Sequence, residues 1–196
     1  MKSLAAALLL SAGLPAVAAA ADFPADRIIA MASGDWNKDG TPDLALVATP
    51  GADGADDNGL YVYLAKPEAN RLTLALALPN SVWGNLTMSG QEPELTALAN
   101  GSFTLTTKNE AIGRERWRET LTIAYRNFDF IVAGYTYASY DTIAEDGGEN
   151  STSDCDLNIL TGKGKSNGQA VAGKPQFVLL RDWNNGIPRS TCGLDN

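Results

Sequence analysis

The sequence contains no histidine, and its 196 residues include only two cysteines. Without histidine, the chain cannot build a Ser-His-Asp or Cys-His relay, nor a His-ligated zinc or haem site. Asp and Glu number 23 against 15 Lys and Arg, giving a net charge of −8. An acidic chain lacks the broad positive field that nucleic-acid binding requires. We therefore expect no nucleic-acid partner and no chemistry that depends on imidazole.

Long apolar runs are also missing beyond the N-terminus, so the sequence predicts no membrane span. Residues 1–21 have the pattern of an export signal, with Lys2 at the start, an apolar run over residues 4–14 and alanines at positions 16 and 18–21. Cleavage after Ala21 would leave 175 residues, enough for one domain, with 14 basic against 23 acidic residues and a net charge of −9. The sequence thus predicts a periplasmic or secreted protein whose single domain spans residues 22–196.

The two cysteines, Cys155 and Cys192, both lie in the predicted mature chain. Exported proteins usually pair their cysteines in disulfides. The alternative, a redox site, is not favoured because the two cysteines lack Cys-x-x-Cys spacing. We expect a structural disulfide between them.

Short apolar segments with a two-residue period recur every 8 to 15 residues or so, which is typical of an all-β sandwich or barrel. One face of a strand is expected to carry Leu72, Leu74, Leu76 and Leu78. The run 128–140 is apolar on both faces, so we expect it at the centre of a sheet, joined to the preceding strand by a hairpin at Asn127. Residues 92–99 fit a helical turn or a strand, and the acidic stretches 51–59 and 142–156 fit solvated loops. The predicted strands are 28–32, 44–48, 60–64, 71–78, 103–106, 120–125, 128–140, 157–160, 169–172 and 176–180.

The most informative segment is Gly34-Asp-Trp-Asn-Lys-Asp-Gly-Thr-Pro-Asp-Leu44. Oxygen-bearing side chains stand at loop positions 1, 3, 5 and 9, glycine at position 6 permits a sharp turn, and position 7 offers its carbonyl. Calcium takes six to eight such oxygens. The candidate ligands are the side chains of Asp35, Asn37, Asp39 and Asp43 and the main chain of Thr41. An Asp/Asn/Gly-rich turn that binds nothing is the alternative.

An EF-hand does not fit, because position 12 is Leu46 where a bidentate Glu is needed and the flanking segments read as strands. A loop of this pattern between two strands resembles the FG-GAP or VCBS-type repeat of integrin-like β-propellers and exported bacterial proteins. The resemblance covers about residues 28–48, in a hairpin region of 28–65, and implies that the five residues bind calcium. A propeller needs several blades, and one complete motif is present. Asp182 to Pro188 echoes it imperfectly and is interpreted as a turn, with a degenerate second repeat as the alternative.

Three weaker patterns have ordinary explanations. Gly162 to Ser166 lacks the first glycine of a phosphate-binding loop and fits a turn. Arg114, Arg116 and Arg118 alternate and would share a strand face, either as a solvated edge or as an anion site. The four tryptophans, at positions 36, 83, 117 and 183, fit core and rim positions, although they could stack on sugars.

These observations predict an exported, non-catalytic, calcium-stabilised β-domain with a binding or structural role at the cell envelope, its partner being a protein or an envelope glycan. A calcium-dependent, carboxylate-based polysaccharide hydrolase is the alternative, and it would need two carboxyl groups about 5 to 9.5 Å apart. An envelope stability factor with transient contacts is a third. The sequence reveals no pair of carboxyl groups in an apolar setting that would raise a pKa.

Overall fold

Two antiparallel β-sheets make up the fold of the computed structural model, which describes residues 25–50, 57–86, 88–143 and 152–194. Within these ranges neither sheet closes into a barrel, so the all-β prediction is confirmed in its sandwich form. In the same ranges, no helix is long and apolar enough to cross a membrane. The predicted export signal and residues 51–56 and 144–151 of the two acidic stretches lie outside the described residues. The solvated-loop prediction is wrong for residues 58–59 and 152–156, which belong to the strands Asn58–Lys66 and Thr152–Asn158.

The smaller sheet has four strands in sequence order: β1 (Ile28–Gly34), β2 (Asp43–Ala48), β3 (Asn58–Lys66) and β4 (Arg71–Val82). Strands β1 and β2 form the predicted hairpin, in register from Ala30 opposite Val47 to Gly34 opposite Asp43. The loop between them carries the candidate calcium ligands.

The larger sheet also follows sequence order, and β12 pairs with β8 in addition. Its strands are β5 (Glu94–Leu98), β6 (Ser102–Asn109), β7 (Glu115–Arg126), β8 (Asp129–Asp141), β9 (Thr152–Asn158), β10 (Lys163–Ser166), β11 (Gln169–Ala172) and β12 (Val178–Leu179). Residues 92–99 therefore contain a strand, and β8 is central as predicted. Asn127 and Phe128 form the turn of the β7–β8 hairpin, so Phe128 belongs to the turn and not to the strand.

The C-terminal segment continues from β12 through a 3₁₀ turn, Leu180–Asp182, to a short helix α1, Gly186–Cys192. Further 3₁₀ turns lie at Ala25–Arg27 and Pro67–Ala69. Helix α1 was not predicted, although Pro188 in its first turn and Gly193 at its end are helix-boundary signals. Gly193 has φ 67° and donates its N–H to the Arg189 carbonyl.

One hydrophobic core joins the two sheets, and the C-terminal segment covers the rest of the inner face of the larger sheet. The smaller sheet contributes Ala45, Val47, Leu60, Val62 and Leu76, and the larger sheet contributes Phe103, Leu105, Leu121, Ile123 and Val132. The C-terminal segment adds Leu180 and Cys192 to the same cluster. Two parts of the chain, the smaller sheet and the C-terminal segment, therefore pack against the inner face of the larger sheet.

The prediction that four leucines of β4 share one face is wrong. Tyr63 pairs with Leu74 and Val62 pairs with Leu76, so Ala75 is an extra residue in the ladder. A bulge of this kind exchanges the two faces of a strand. Leu76 accordingly lies in the core at 8% exposure, whereas Leu72 and Leu74 are 44% and 49% exposed.

The predicted disulfide is present. Cys155 on β9 is bonded to Cys192 at the end of α1, and both residues are buried. The Ser166 hydroxyl of β10 donates a 2.8 Å hydrogen bond to the Cys192 carbonyl. Together these contacts hold the helix against the larger sheet.

Candidate metal centre

In the loop between β1 and β2, side-chain oxygens of the candidate ligands accept hydrogen bonds from main-chain N–H groups of the same loop. The Asp35 carboxylate accepts the N–H of Asp39 at 3.0 Å and that of Gly40 at 2.9 Å. The Asn37 amide oxygen accepts the same Asp39 N–H at 3.0 Å. Oxygens of Asp35 and Asn37 therefore converge on one nitrogen atom in the centre of the loop.

Asp39 adds a third side chain to this group. One of its oxygens accepts the Thr41 N–H at 2.8 Å, and the other accepts the Asn37 side-chain N–H at 2.9 Å. The hydrogen bond from Asn37 contributes most to holding the pKa of Asp39 below its ordinary value. Asp39 is exposed and stays ionised at neutral pH.

Asp43 differs from the other candidates because it is buried, with 1% exposure. Its two oxygens accept the main-chain N–H groups of Trp36 at 2.9 Å and Ala65 at 2.8 Å. Burial raises the pKa of Asp43 despite these bonds. The carboxylate thus joins the loop to strand β3, a role that the sequence did not predict.

Backbone conformation in the loop agrees with its residue types. Gly40, at the predicted sharp turn, has φ 86°, a value that glycine adopts without steric cost. Lys38 has φ 62°, which is uncommon for a residue with a side chain. The turn therefore needs the glycine at position 6, as the spacing predicted.

Trp36 fixes the loop to the core. Its side chain is 1% exposed, and its ring centroid lies 5.0 Å from that of Phe103 on the larger sheet. A Cβ atom on Gly34 would lie 2.2 Å from the Trp36 ring, so the indole occupies the space that this glycine leaves open. One side of the loop also faces the β5–β6 turn, because a Cβ on Gly101 would lie 3.3 Å from the Asp35 carbonyl.

Among the described residues, no group of three or more His, Cys, Asp or Glu side chains is arranged to hold a metal ion. That finding concerns clusters of acidic, imidazole and thiol groups, whereas calcium also takes amide and main-chain oxygens. The donors around the Asp39 N–H are carboxylate and amide oxygens, the hard ligands that suit calcium and not zinc or copper. The chemistry of this donor set therefore fits calcium.

The segment that echoes the loop has a different structure. Residues 182–188 run from the end of a 3₁₀ turn into helix α1, with no strand pair on either side. The Trp183 indole donates to the Asn185 side-chain oxygen at 2.9 Å, and the Gly186 N–H donates to that of Asn184 at 3.2 Å. The segment is a helix-initiating turn.

The three arginines do not form one row. Arg114 precedes β7 and forms an ion pair with Asp141. Arg116 and Arg118 share a face of β7, and Arg118 lies 3.8 Å from Glu94. The prediction of a turn at 162–166 holds only for Gly162, because Lys163 to Ser166 pair with both neighbouring strands as β10.

A half-buried polar cluster around Glu119 was missed in the sequence. The Glu119 carboxylate accepts the Tyr135 hydroxyl at 3.1 Å and the Asn185 side-chain N–H at 2.9 Å. Burial raises the pKa of Glu119 above its ordinary value, and burial with the nearby Glu119 charge raises that of Tyr135. Because Asn185 is 66 residues away in sequence, no local pattern could have revealed this contact.

Glu119→Gln is expected to change how stability depends on pH. A carboxyl whose pKa is raised by folding holds its proton more tightly in the folded state, so the wild type loses stability as pH rises above about 4.5 through the folded pKa. Urea unfolding between about pH 4 and pH 7 should therefore show the variant gaining relative to the wild type as pH rises.

Glu110→Gln is the matched control, because Glu110 also accepts a tyrosine hydroxyl, that of Tyr140 at 3.0 Å, but is exposed. It removes the same kind of hydrogen bond without the burial, so Glu119→Gln should depart further from the wild-type pH profile than Glu110→Gln does. Parallel profiles for Glu119→Gln would contradict the prediction.

Comparisons with known proteins give no relative. No protein-family model matches the chain, no curated protein is significantly similar to it, and no solved structure matches its fold. The FG-GAP and VCBS resemblance therefore rests on the loop residues alone.

Proposed function

We propose that this chain is an exported β-domain stabilised by one calcium ion in the β1–β2 loop. The observation that supports it is the convergence of Asp35 and Asn37 oxygens on the Asp39 N–H, with the Asp39 carboxylate bonded to Asn37. Three side chains from alternate residues are thus oriented toward one another by the loop itself. An arrangement made in advance lowers the cost of ordering the ligands when an ion binds.

The calcium would be held by the side chains of Asp35, Asn37, Asp39 and Asp43 and by the main chain of Thr41. It would neutralise three carboxylates that otherwise repel one another within one short loop. The Asp43 carboxylate oxygens already accept main-chain N–H groups, but each has a second lone pair. The expected role is structural, since the loop is tied to the core by Trp36.

The buried disulfide supports export, because such bonds persist in oxidising compartments. We propose a periplasmic or secreted protein with a binding or structural role at the cell envelope and no catalytic activity. Its partner would be a protein or an envelope glycan.

Thermal melting with calcium and with a chelator tests the proposal. Calcium in large excess over its dissociation constant should add about 3 kcal/mol or more to the free energy of unfolding. Asp39→Ala removes a ligand, so its melting temperature should no longer respond to calcium.

The control is Asp182→Ala, which changes the aspartate of the look-alike segment that corresponds to Asp35. It should keep the full response to calcium, because residues 182–188 form a helix-initiating turn. The absence of any calcium-dependent shift in the parent protein would rule out the site.

A polysaccharide hydrolase remains a second candidate function, and the raised pKa of Glu119 favours it. Such a pKa suits a general acid, but Glu115, four residues away on the same face of β7, lies about 13 Å along the strand, which is too far for the second carboxyl group of a hydrolase. Hydrolysis of a soluble polysaccharide that disappears in Glu119→Gln but not in Glu110→Gln would support this function over the non-catalytic one.

A further inference from the structure

A polar groove of about 300 Å³ lies on the face of the larger sheet that points away from the core. Its lining comes from the β5–β6 turn and from strands β6 to β9. The polar side chains that line it include Asn100, Thr122, Arg126, Thr136, Asp156 and Asn158. The sequence did not predict this groove, because its residues are spread over about 60 positions and share no motif.

Gly134 on β8 creates the depression. It pairs with Thr122 on one side and with Asn158 on the other, so two polar side chains flank a position that has none. With strands about 4.8 Å apart, the flanking residues stand about 10 Å from each other. A bulge at Ala133 immediately precedes Gly134, and such bulges re-aim side chains beside binding sites.

Hydrogen bonds within the protein orient some polar side chains of the groove and leave donors and acceptors available to a ligand. The Asn158 oxygen accepts the Thr161 N–H at 2.9 Å and its hydroxyl at 3.0 Å, which fixes the amide and leaves its N–H₂ group to donate. The Asn100 side-chain oxygen accepts a hydrogen bond from the Ser102 N–H at 3.0 Å, which likewise leaves the Asn100 N–H₂ group to donate to a ligand. Within the described part of the chain, the Asp156 carboxylate has no hydrogen-bond or ion-pair partner.

The charges that line the groove balance, and two further cations, Lys163 and Lys165 of β10, lie opposite Asn158 and Asp156 outside the lining. Arg126 and Asp156 contribute one charge of each sign, and the remaining polar groups are hydroxyls and amides. The chain as a whole carries −8, which repels a polyanion. Amides, hydroxyls and a carboxylate together offer both donors and acceptors, the pattern that a neutral polyhydroxylated ligand requires.

An exposed aromatic residue, Phe128, closely follows the groove-lining Arg126 in the chain. Phe128 is 92% exposed at the tip of the β7–β8 turn, two residues after Arg126. It also has φ 64°, a left-handed conformation that favours glycine and strains a bulky side chain. A strained, solvent-exposed phenylalanine stabilises nothing in the fold, and its ring offers an apolar platform for the face of a sugar ring.

We propose that the groove binds a neutral glycan, with its hydroxyl groups hydrogen-bonded to Asp156, Asn158 and Asn100 and a sugar ring stacked on Phe128. This inference rests on the binding role proposed above and chooses the glycan as partner. It does not depend on calcium, whose effect on melting temperature is measured separately.

Titration calorimetry with neutral hexasaccharides tests the site, using cellohexaose, maltohexaose and laminarihexaose on the protein with calcium in the buffer. At least one should bind saturably, with Kd between about 10 µM and 1 mM. Asp156→Ala and Asn158→Ala should each weaken it about tenfold or more. Asp154→Ala is the matched control, because Asp154 is an exposed residue on the same face of β9 and does not line the groove, and it should leave the affinity unchanged.

Phe128→Gly separates binding from folding. It converts the turn to Asn-Gly, which suits positive φ at both positions, so the melting temperature should stay the same or rise while the affinity falls at least fivefold or so. A purely structural Phe128 would give no loss of affinity.

Three results would overturn the proposal. They are no saturable binding of any hexasaccharide up to about 5 mM, unchanged binding by Asp156→Ala and Asn158→Ala, and tighter binding of an oligogalacturonate hexamer than of the neutral sugars. A calcium-dependent melting temperature together with any of these would leave the proposed calcium-stabilised domain in place and reject the groove as a neutral-glycan site.

Discussion

Replacing Trp36 with alanine is expected to lower the free energy of unfolding by about 3 to 5 kcal/mol, as for other buried tryptophans. The indole is 1% exposed, fills the space above Gly34 and contacts Phe103 of the opposite sheet. Its loss would leave a cavity between the two sheets and would release the loop that carries the candidate calcium ligands. Urea unfolding monitored by far-UV circular dichroism measures the change.

Trp83→Ala is the control of the same residue type. Trp83 is 38% exposed and packs against Trp117 at 4.9 Å, so its loss should cost less than that of Trp36. If Trp36→Ala does not fold, Trp36→Phe keeps an aromatic ring and should give an intermediate loss. Trp36 variants as stable as the wild type would show that the loop is not anchored through this side chain.

Removal of the disulfide, as the double variant Cys155→Ala and Cys192→Ala, is expected to cost about 4 kcal/mol. The bond joins residues 37 positions apart, and in the chain-entropy account the cost comes mainly from the freer unfolded chain. Alanine is preferred to serine because both positions are buried and a hydroxyl there would need a partner.

The local consequence should appear at the C-terminus. Amide hydrogen exchange in helix α1 is expected to accelerate more than exchange in β6 and β7, because the helix has seven residues and is held by Cys192. The wild type treated with a strong reductant serves as the second measurement. Equal acceleration throughout the protein would indicate that the bond acts only on the unfolded chain.

Local patterns in the sequence predicted most of the strands, but they missed β10 and most of β9, which lie in segments interpreted as a glycine turn and an acidic loop. The hairpin β1–β2 follows from two alternating apolar segments on either side of an Asp/Asn/Gly turn, and the centre of the larger sheet follows from a run that is apolar on both faces. The disulfide followed from the cysteine count and from the expectation that the chain is exported. Each of these inferences depends on residues close in sequence or on composition.

Features that depend on distant contacts were not predictable. The bulge at Ala75 changes which leucines of β4 face the core, yet the sequence shows an uninterrupted alternation. The anchoring of Asp43 requires the N–H of Ala65, 22 residues away. The loop composition revealed which oxygens are available, but it could not show that one carboxylate is buried and bonded to a neighbouring strand.

The groove could not be predicted from the sequence for a similar reason. Gly134 has no special spacing in the sequence, and its effect comes from the strands on both sides of it. Phe128 gave a partial signal, since a bulky residue follows the Asn127 that begins a hairpin turn where glycine is preferred.

The order of the strands has a consequence for how quickly the protein folds. In both sheets each strand pairs with the next one in sequence, so nearly all of the ladder can form as successive local hairpins. Such a topology keeps the entropy of loop closure small, and folding rates rise as sequence separation between contacts falls. The pairing of β12 with β8 is the exception, because it closes a loop of more than 40 residues. We therefore expect the hairpins to assemble first and the C-terminal segment to dock late, after the surface that it covers has formed.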